Sequence, residues 1–171
     1  MTTTRFPFKV RSLRFLVALV LPIGTLLLLP ISATAATANS APADIVTISA
    51  TSGSASATQG VAAATITCTV KANDPHQSTH VPTNVNVVGT TKCTAPMTAL
   101  TMTVNLFNDG RLVGTNTKAN AGKAAILVNA AVHCVSGTYN GTATATLVFP
   151  PGFLPSPQVV NVTSRFAPIT C

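Results

Sequence analysis

The chain is 171 residues long, with ten Lys and Arg against three Asp, no Glu, no Trp and a formal charge of +7. Only 8% of its residues are charged and 5% aromatic, so it lacks the clustered cations and interleaved aromatics of a nucleic-acid binder. The same poverty leaves few carboxylates to pair for acid–base catalysis, and a composition rich in Thr, Val and Ala favours strands over long helices.

The first element is a leader. Arg5, Lys9, Arg11 and Arg14 precede an apolar run from Phe15 to Ile31. Small residues follow, with Ala33-Thr34-Ala35 and Ala36-Thr37-Ala38 as two cleavage sites. That order of charge, apolar run and small residues predicts a secretory signal peptide over residues 1–38. The rival, a retained anchor, fits less well, because the run is near the lower limit for a span and holds Pro22, Gly24 and Pro30. No twin arginine points to the twin-arginine route. No cysteine follows the run to carry a lipid. The processed chain, about 135 residues, is long enough for one domain with a core. It keeps six basic residues against three Asp, or +3. Such a mild charge permits attraction to an anionic polymer without requiring it.

Residues 39–60 read as a flexible linker of small polar residues, although Ile45 to Ile48 could add an edge strand. From residue 61 to 171 a single domain is expected. Its apolar residues alternate: Ile66, Cys68 and Val70; Leu100, Met102, Val104 and Leu106; Ile126, Val128 and Ala130; Ala143, Ala145, Leu147 and Phe149. Thr and Asn fill the positions between them in most of these runs, the pattern of half-buried strands. About seven strands result, over 64–72, 84–93, 99–107, 111–118, 123–133, 139–149 and 158–169. Their number and spacing predict an all-β fold, an antiparallel β-sandwich of immunoglobulin-like type.

Asp109-Gly110 lies between two alternating runs, which is the two-residue hairpin signal. A plain hairpin there sets Leu106 opposite Val113 and Val104 opposite Thr115. The last strand changes parity, since Val160 and Val162 point one way and Ile169 and Cys171 the other. A bulge or kink near Arg165 to Pro168 reconciles them.

Cys68, Cys93, Cys134 and Cys171 form an even set in an exported chain, so two disulfides are expected. The strand through Cys68 and the strand ending at Cys93 can pair so that the two cysteines stand opposite, both on an apolar parity. The same logic sets Cys134 opposite Cys171. Cys68–Cys93 and Cys134–Cys171 are therefore preferred, with an inter-sheet bridge such as Cys68–Cys134 as the alternative. No C-x-x-C spacing suggests zinc, and no other metal or cofactor motif is present.

Cys68-Thr-Val-Lys-Ala-Asn-Asp-Pro-His-Gln-Ser, Cys93-Thr-Ala-Pro, Cys134-Val-Ser-Gly-Thr-Tyr-Asn-Gly, Phe149-Pro-Pro-Gly-Phe and the closing Ile169-Thr-Cys171 resemble a group of small secreted four-cysteine proteins of actinobacteria. The resemblance spans residues 64–171. It implies an exported, disulfide-bonded β fold and brings no catalytic or ligand residue with it. In that setting the sequons at Asn140-Gly-Thr142 and Asn161-Val-Thr163 are expected to be unused.

Few residues invite chemistry. Asp74, His76 and His80 share a segment, but Pro75 and Pro82 argue for a polar loop rather than a helix that could bring two His to one metal. His133 has the outward parity of a solvated strand residue. No G-x-S-x-G or glycine-rich phosphate loop occurs. The best recognition candidate is the Pro-rich stretch from Phe149 to Pro157, where Phe149, Phe153 and Leu154 could present apolar side chains on a stiff loop. The competing expectation folds Phe149 and Phe153 back as a cap. The whole predicts a secreted, non-catalytic module with a binding or structural role, its partner an extracellular protein or a cell-wall polymer. The alternative is an inhibitor of an extracellular hydrolase acting through the Pro-rich loop.

Overall fold

The computed structural model describes residues 43–53 and 63–171. The expected signal peptide, residues 1–38, lies outside them, as do the expected linker's residues 39–42 and 54–60. Eleven strands occur among the described residues: β1 (Ile45–Ser52), β2 (Thr65–Ala72), β3 (His76–Gln77), β4 (Asn84–Cys93), β5 (Ala99–Asn108), β6 (Arg111–Ala121), β7 (Ala125–His133), β8 (Gly137–Val148), β9 (Phe153–Leu154), β10 (Gln158–Thr163) and β11 (Ala167–Ile169).

Every pairing is antiparallel, and two sheets result. In the first, β9, β1, β2, β4 and β7 lie side by side, and β3 shares with β2 one edge of β4. In the second, β6, β5 and β8 lie side by side, and β10 and β11 share the far edge of β8. Hairpins join β1 to β2 and β5 to β6. The chain changes sheet between β4 and β5, between β6 and β7, between β7 and β8, and twice more around β9, which joins the first sheet between β8 and β10 of the second.

The inner faces meet along the alternating residues the sequence marks. Val70, Val85, Val87 and Val128 of the first sheet are fully buried, as are Met102, Val104, Leu106 and Leu147 of the second. Small residues lie where the sheets come closest. A Cβ on Gly89 of β4 would stand 2.5 Å from Val104 Cγ2 and 2.9 Å from Met102 Sδ. A Cβ on Gly141 of β8 would meet the side chain of Val87. These glycines are therefore demanded by packing rather than by backbone conformation.

Both expected disulfides form, and no free cysteine remains among the described residues. Cys68 and Cys93 are direct cross-strand partners on β2 and β4. Cys134, just past β7, joins Cys171, just past β11.

Two expectations are corrected, and a third is met. The linker read over 39–60 contains a full strand, β1, which runs past the suggested Ile45–Ile48. It pairs with β2 from Ile45 to Thr51 and with β9 at Thr51 and Ser52. Its weak apolar pattern hid it, because stability comes from the ladder to β2 rather than from its own side chains. The β5–β6 hairpin turns at Asp109 and Gly110, both with positive φ (47° and 78°), but a bulge between Leu106 and Phe107, with Val113 as the extra residue of β6, moves the register by one. Leu106 thus faces Gly114, and Val104 faces Asn116. Strand β6 is mostly exposed, so no buried apolar row holds it to the plain register. The final strand is broken into β10 and β11, and its register against β8 slips by one between Thr163 and Ala167. That slip lies beside the kink expected near Arg165.

Candidate functional site

The Pro-rich stretch does not present the three residues expected of it. Phe149 continues the inward parity of β8 and is 3% exposed within the core. Its N–H donates to Ser156 Oγ and its carbonyl accepts from the Thr98 hydroxyl. Phe153 packs against the core, and its strand β9 is paired to the end of β1. Only Leu154 stands out, 66% exposed. The sequence could not show this, because the strand that receives β9 lies about a hundred residues earlier, in a segment of linker-like composition.

Asp74 serves architecture. Its Oδ2 receives the Arg165 guanidinium, with Nη2 at 2.6 Å and Nε at 3.0 Å, while its Oδ1 accepts the Arg165 backbone N–H at 3.0 Å. The pair fastens the β2–β3 loop to the irregular stretch between β10 and β11. Chiefly through the hydrogen bond from the Arg165 side chain, the Asp74 carboxyl is held below its ordinary range. His76 Nδ1 lies 3.1 Å from the Asp74 carbonyl oxygen rather than from its carboxylate. His80 is exposed on the loop before β4, and His133 is exposed as its parity implied. Asp109 is likewise committed: its Oδ1 accepts the Thr138 N–H at 3.0 Å, and its own N–H donates to the Thr138 carbonyl. Among the described residues no group of three or more His, Cys, Asp or Glu is gathered to hold a metal.

A recess of about 470 Å³ opens where the β5–β6 hairpin meets the end of β7. Leu112, Val113, Val132 and Val135 supply aliphatic walls, and Arg111 and His133 stand among them. The bulge contributes to this opening, since it leaves Val113 without a cross-strand partner while Leu112 keeps its place opposite Phe107. At its base Tyr139, the chain's single tyrosine, is buried. Its hydroxyl donates to the Val135 carbonyl at 2.6 Å and accepts the Val135 N–H at 3.2 Å. This corner fixes the turn from β7 into β8. Sequence reasoning missed it, although a lone tyrosine five residues after a cysteine and two into a strand was a usable signal.

No known protein family, curated protein or solved structure matches the chain. The reading of the site therefore depends on its own chemistry.

Proposed function

We propose that the protein is an exported, non-catalytic binding module on an immunoglobulin-like sandwich, acting on an extracellular protein or a cell-wall polymer. The observation that carries the reading is the pair of oxidised bridges, Cys68–Cys93 and Cys134–Cys171, which suit an oxidising compartment. The order β1–β2–β4–β7 against β6–β5–β8–β10 and the Tyr139 corner support the immunoglobulin-like assignment. The non-catalytic part is supported by the use of Asp74 and Asp109 in hydrogen bonds that hold loops and turns. An aliphatic recess beside Arg111 suits holding a ligand better than moving protons.

Expression of the full chain in a secreting host tests this. A product in the medium that begins near residue 39 and carries no free thiol supports the reading. A product retained in the cell, or one with reactive thiols, refutes it. A second reading, inhibition of an extracellular hydrolase, is favoured by one observation, the exposed Leu154 on a paired loop. Loss of inhibition in a Leu154→Asp variant, measured by titration against secreted proteases, would support it.

A further inference from the structure

The outer face of the sheet formed by β6, β5, β8 and β10 carries an uncharged grid. Register aligns Thr117, Thr103, Thr144 and Asn161 in one row across the four strands. The next row is Thr115, Asn105, Thr142 and Thr163. On the other side lies Ala119, Thr101, Thr146 and Val159. None of the chain's Lys, Arg or Asp residues falls in these rows.

The side chains within the rows hold one another. Thr103 and Thr117 share a hydroxyl bond of 2.9 Å, and the Thr144 hydroxyl donates to Asn161 Oδ1 at 2.7 Å. In the next row the Thr115 hydroxyl donates to Asn105 Oδ1 at 2.8 Å, and Asn105 Nδ2 donates to Thr142 Oγ1 at 3.4 Å. Side chains fixed in this way lose less entropy when a ligand arrives. The chains of bonds also leave donors at their ends, above all the amide of the exposed Asn161 and the Thr142 hydroxyl.

We propose that this face binds an extended, uncharged polysaccharide strand laid across the four strands of the sheet. The absence of charge matches a neutral polymer. Neighbouring columns repeat at about 4.8 Å, the interstrand distance, and the rise per sugar of an extended β-linked glycan is close to it. Successive sugars can therefore meet successive strands, with alternate rings offering the same edge because each ring is turned over relative to its neighbour. Phe107, half-buried beside Asn140 at the end of the grid, adds an aromatic ring for a sugar face. A protein partner fits the face less well, because protein hot spots favour Trp, Tyr and Arg and under-represent Thr. The inference rests on the reading of the chain as an extracellular binding module and names its ligand class and its face.

The test is native electrophoresis of the full secreted protein in gels containing hydroxyethylcellulose, xylan or galactomannan, with polygalacturonate as the charged control. Retardation in at least one neutral gel is expected. The Thr103→Val/Thr144→Val pair, which keeps the β-branched shape, should weaken it about tenfold, the scale of one or two hydrogen bonds. Thr117→Lys, at an exposed edge position, should do the same without touching the core, whereas Thr69→Val on the other sheet should change nothing. Circular dichroism confirms that each variant is folded. No retardation in any neutral gel, retardation in polygalacturonate alone, or equal retardation of wild type and grid variants overturns the proposal. The export and thiol assay stands apart, so a failed grid with a secreted, oxidised product leaves the module reading in place.

Discussion

Gly89→Ala probes how closely the two sheets approach. Gly89 is buried in mid-β4, between Ala72 of β2 and Val128 of β7, and it faces the other sheet. An added Cβ would lie 2.5 Å from Val104 Cγ2, 2.9 Å from Met102 Sδ and 3.1 Å from Ala143 Cβ. Two of these neighbours are fully buried Val104 and Met102, and Ala143 is held in mid-β8, so none can swing into solvent. Overpacking of this kind costs about 1–3 kcal/mol. Replacing glycine also removes freedom from the unfolded chain, which offsets about 0.4–1 kcal/mol. The expected net loss is about 1–2 kcal/mol, or a fall in Tm of about 3–10 °C for a domain this size. Urea unfolding followed by far-ultraviolet circular dichroism, with the disulfides intact, measures it. Adding Val104→Ala should relieve the clash, so the double variant should be less destabilised than the two single losses together by about 0.5 kcal/mol or more. A Gly89→Ala protein as stable as wild type, or strictly additive effects, would refute the close approach of the sheets at this point.

Tyr139→Phe removes both hydrogen bonds to Val135 and is expected to cost about 1–3 kcal/mol in urea unfolding, with an unchanged m-value. Removing the Cys134–Cys171 bridge by paired Ala substitution, which opens a sequence separation of 37, should cost about 4 kcal/mol in the chain-entropy treatment, read from the same unfolding curves. The Asp74 carboxyl is depressed by Arg165, so its contribution is present above the ordinary Asp range, near 3.8, and disappears as pH falls through the lower folded value. Thermal melts should therefore show Asp74→Asn less stable than wild type at neutral pH, with the two curves converging in acid. Divergence of the curves in acid would contradict the clamp. Leu112→Asp in the recess should leave stability nearly unchanged, because that side chain is 51% exposed, and a thermal melt checks it.

The strand positions of the domain and the Cys68–Cys93 pair were legible because they depend on local alternation, whereas Cys134 and Cys171 bond from beyond the ends of β7 and β11 without standing opposite each other as strand partners. Ile66, Cys68 and Val70 share a face in any strand, and that parity already aims the Cys68 sulfur inward beside its partner. The Asp109-Gly110 turn was equally local, since only residues that tolerate positive φ suit it. What local pattern could not supply was the identity of distant neighbours. Strand β1 exists because β2 and β9 lie on either side of it, and Phe149 is buried because the Pro-rich stretch returns to that same strand. Asp74 looked like a loop carboxylate until the fold brought Arg165, ninety-one positions later, against it. The bulge in β6 and the cross-strand Thr and Asn rows also arise only when four strands take their registers together. Periodicity is written residue by residue, whereas register and contact are set by the partner strand, and that partner comes into place only when the chain folds.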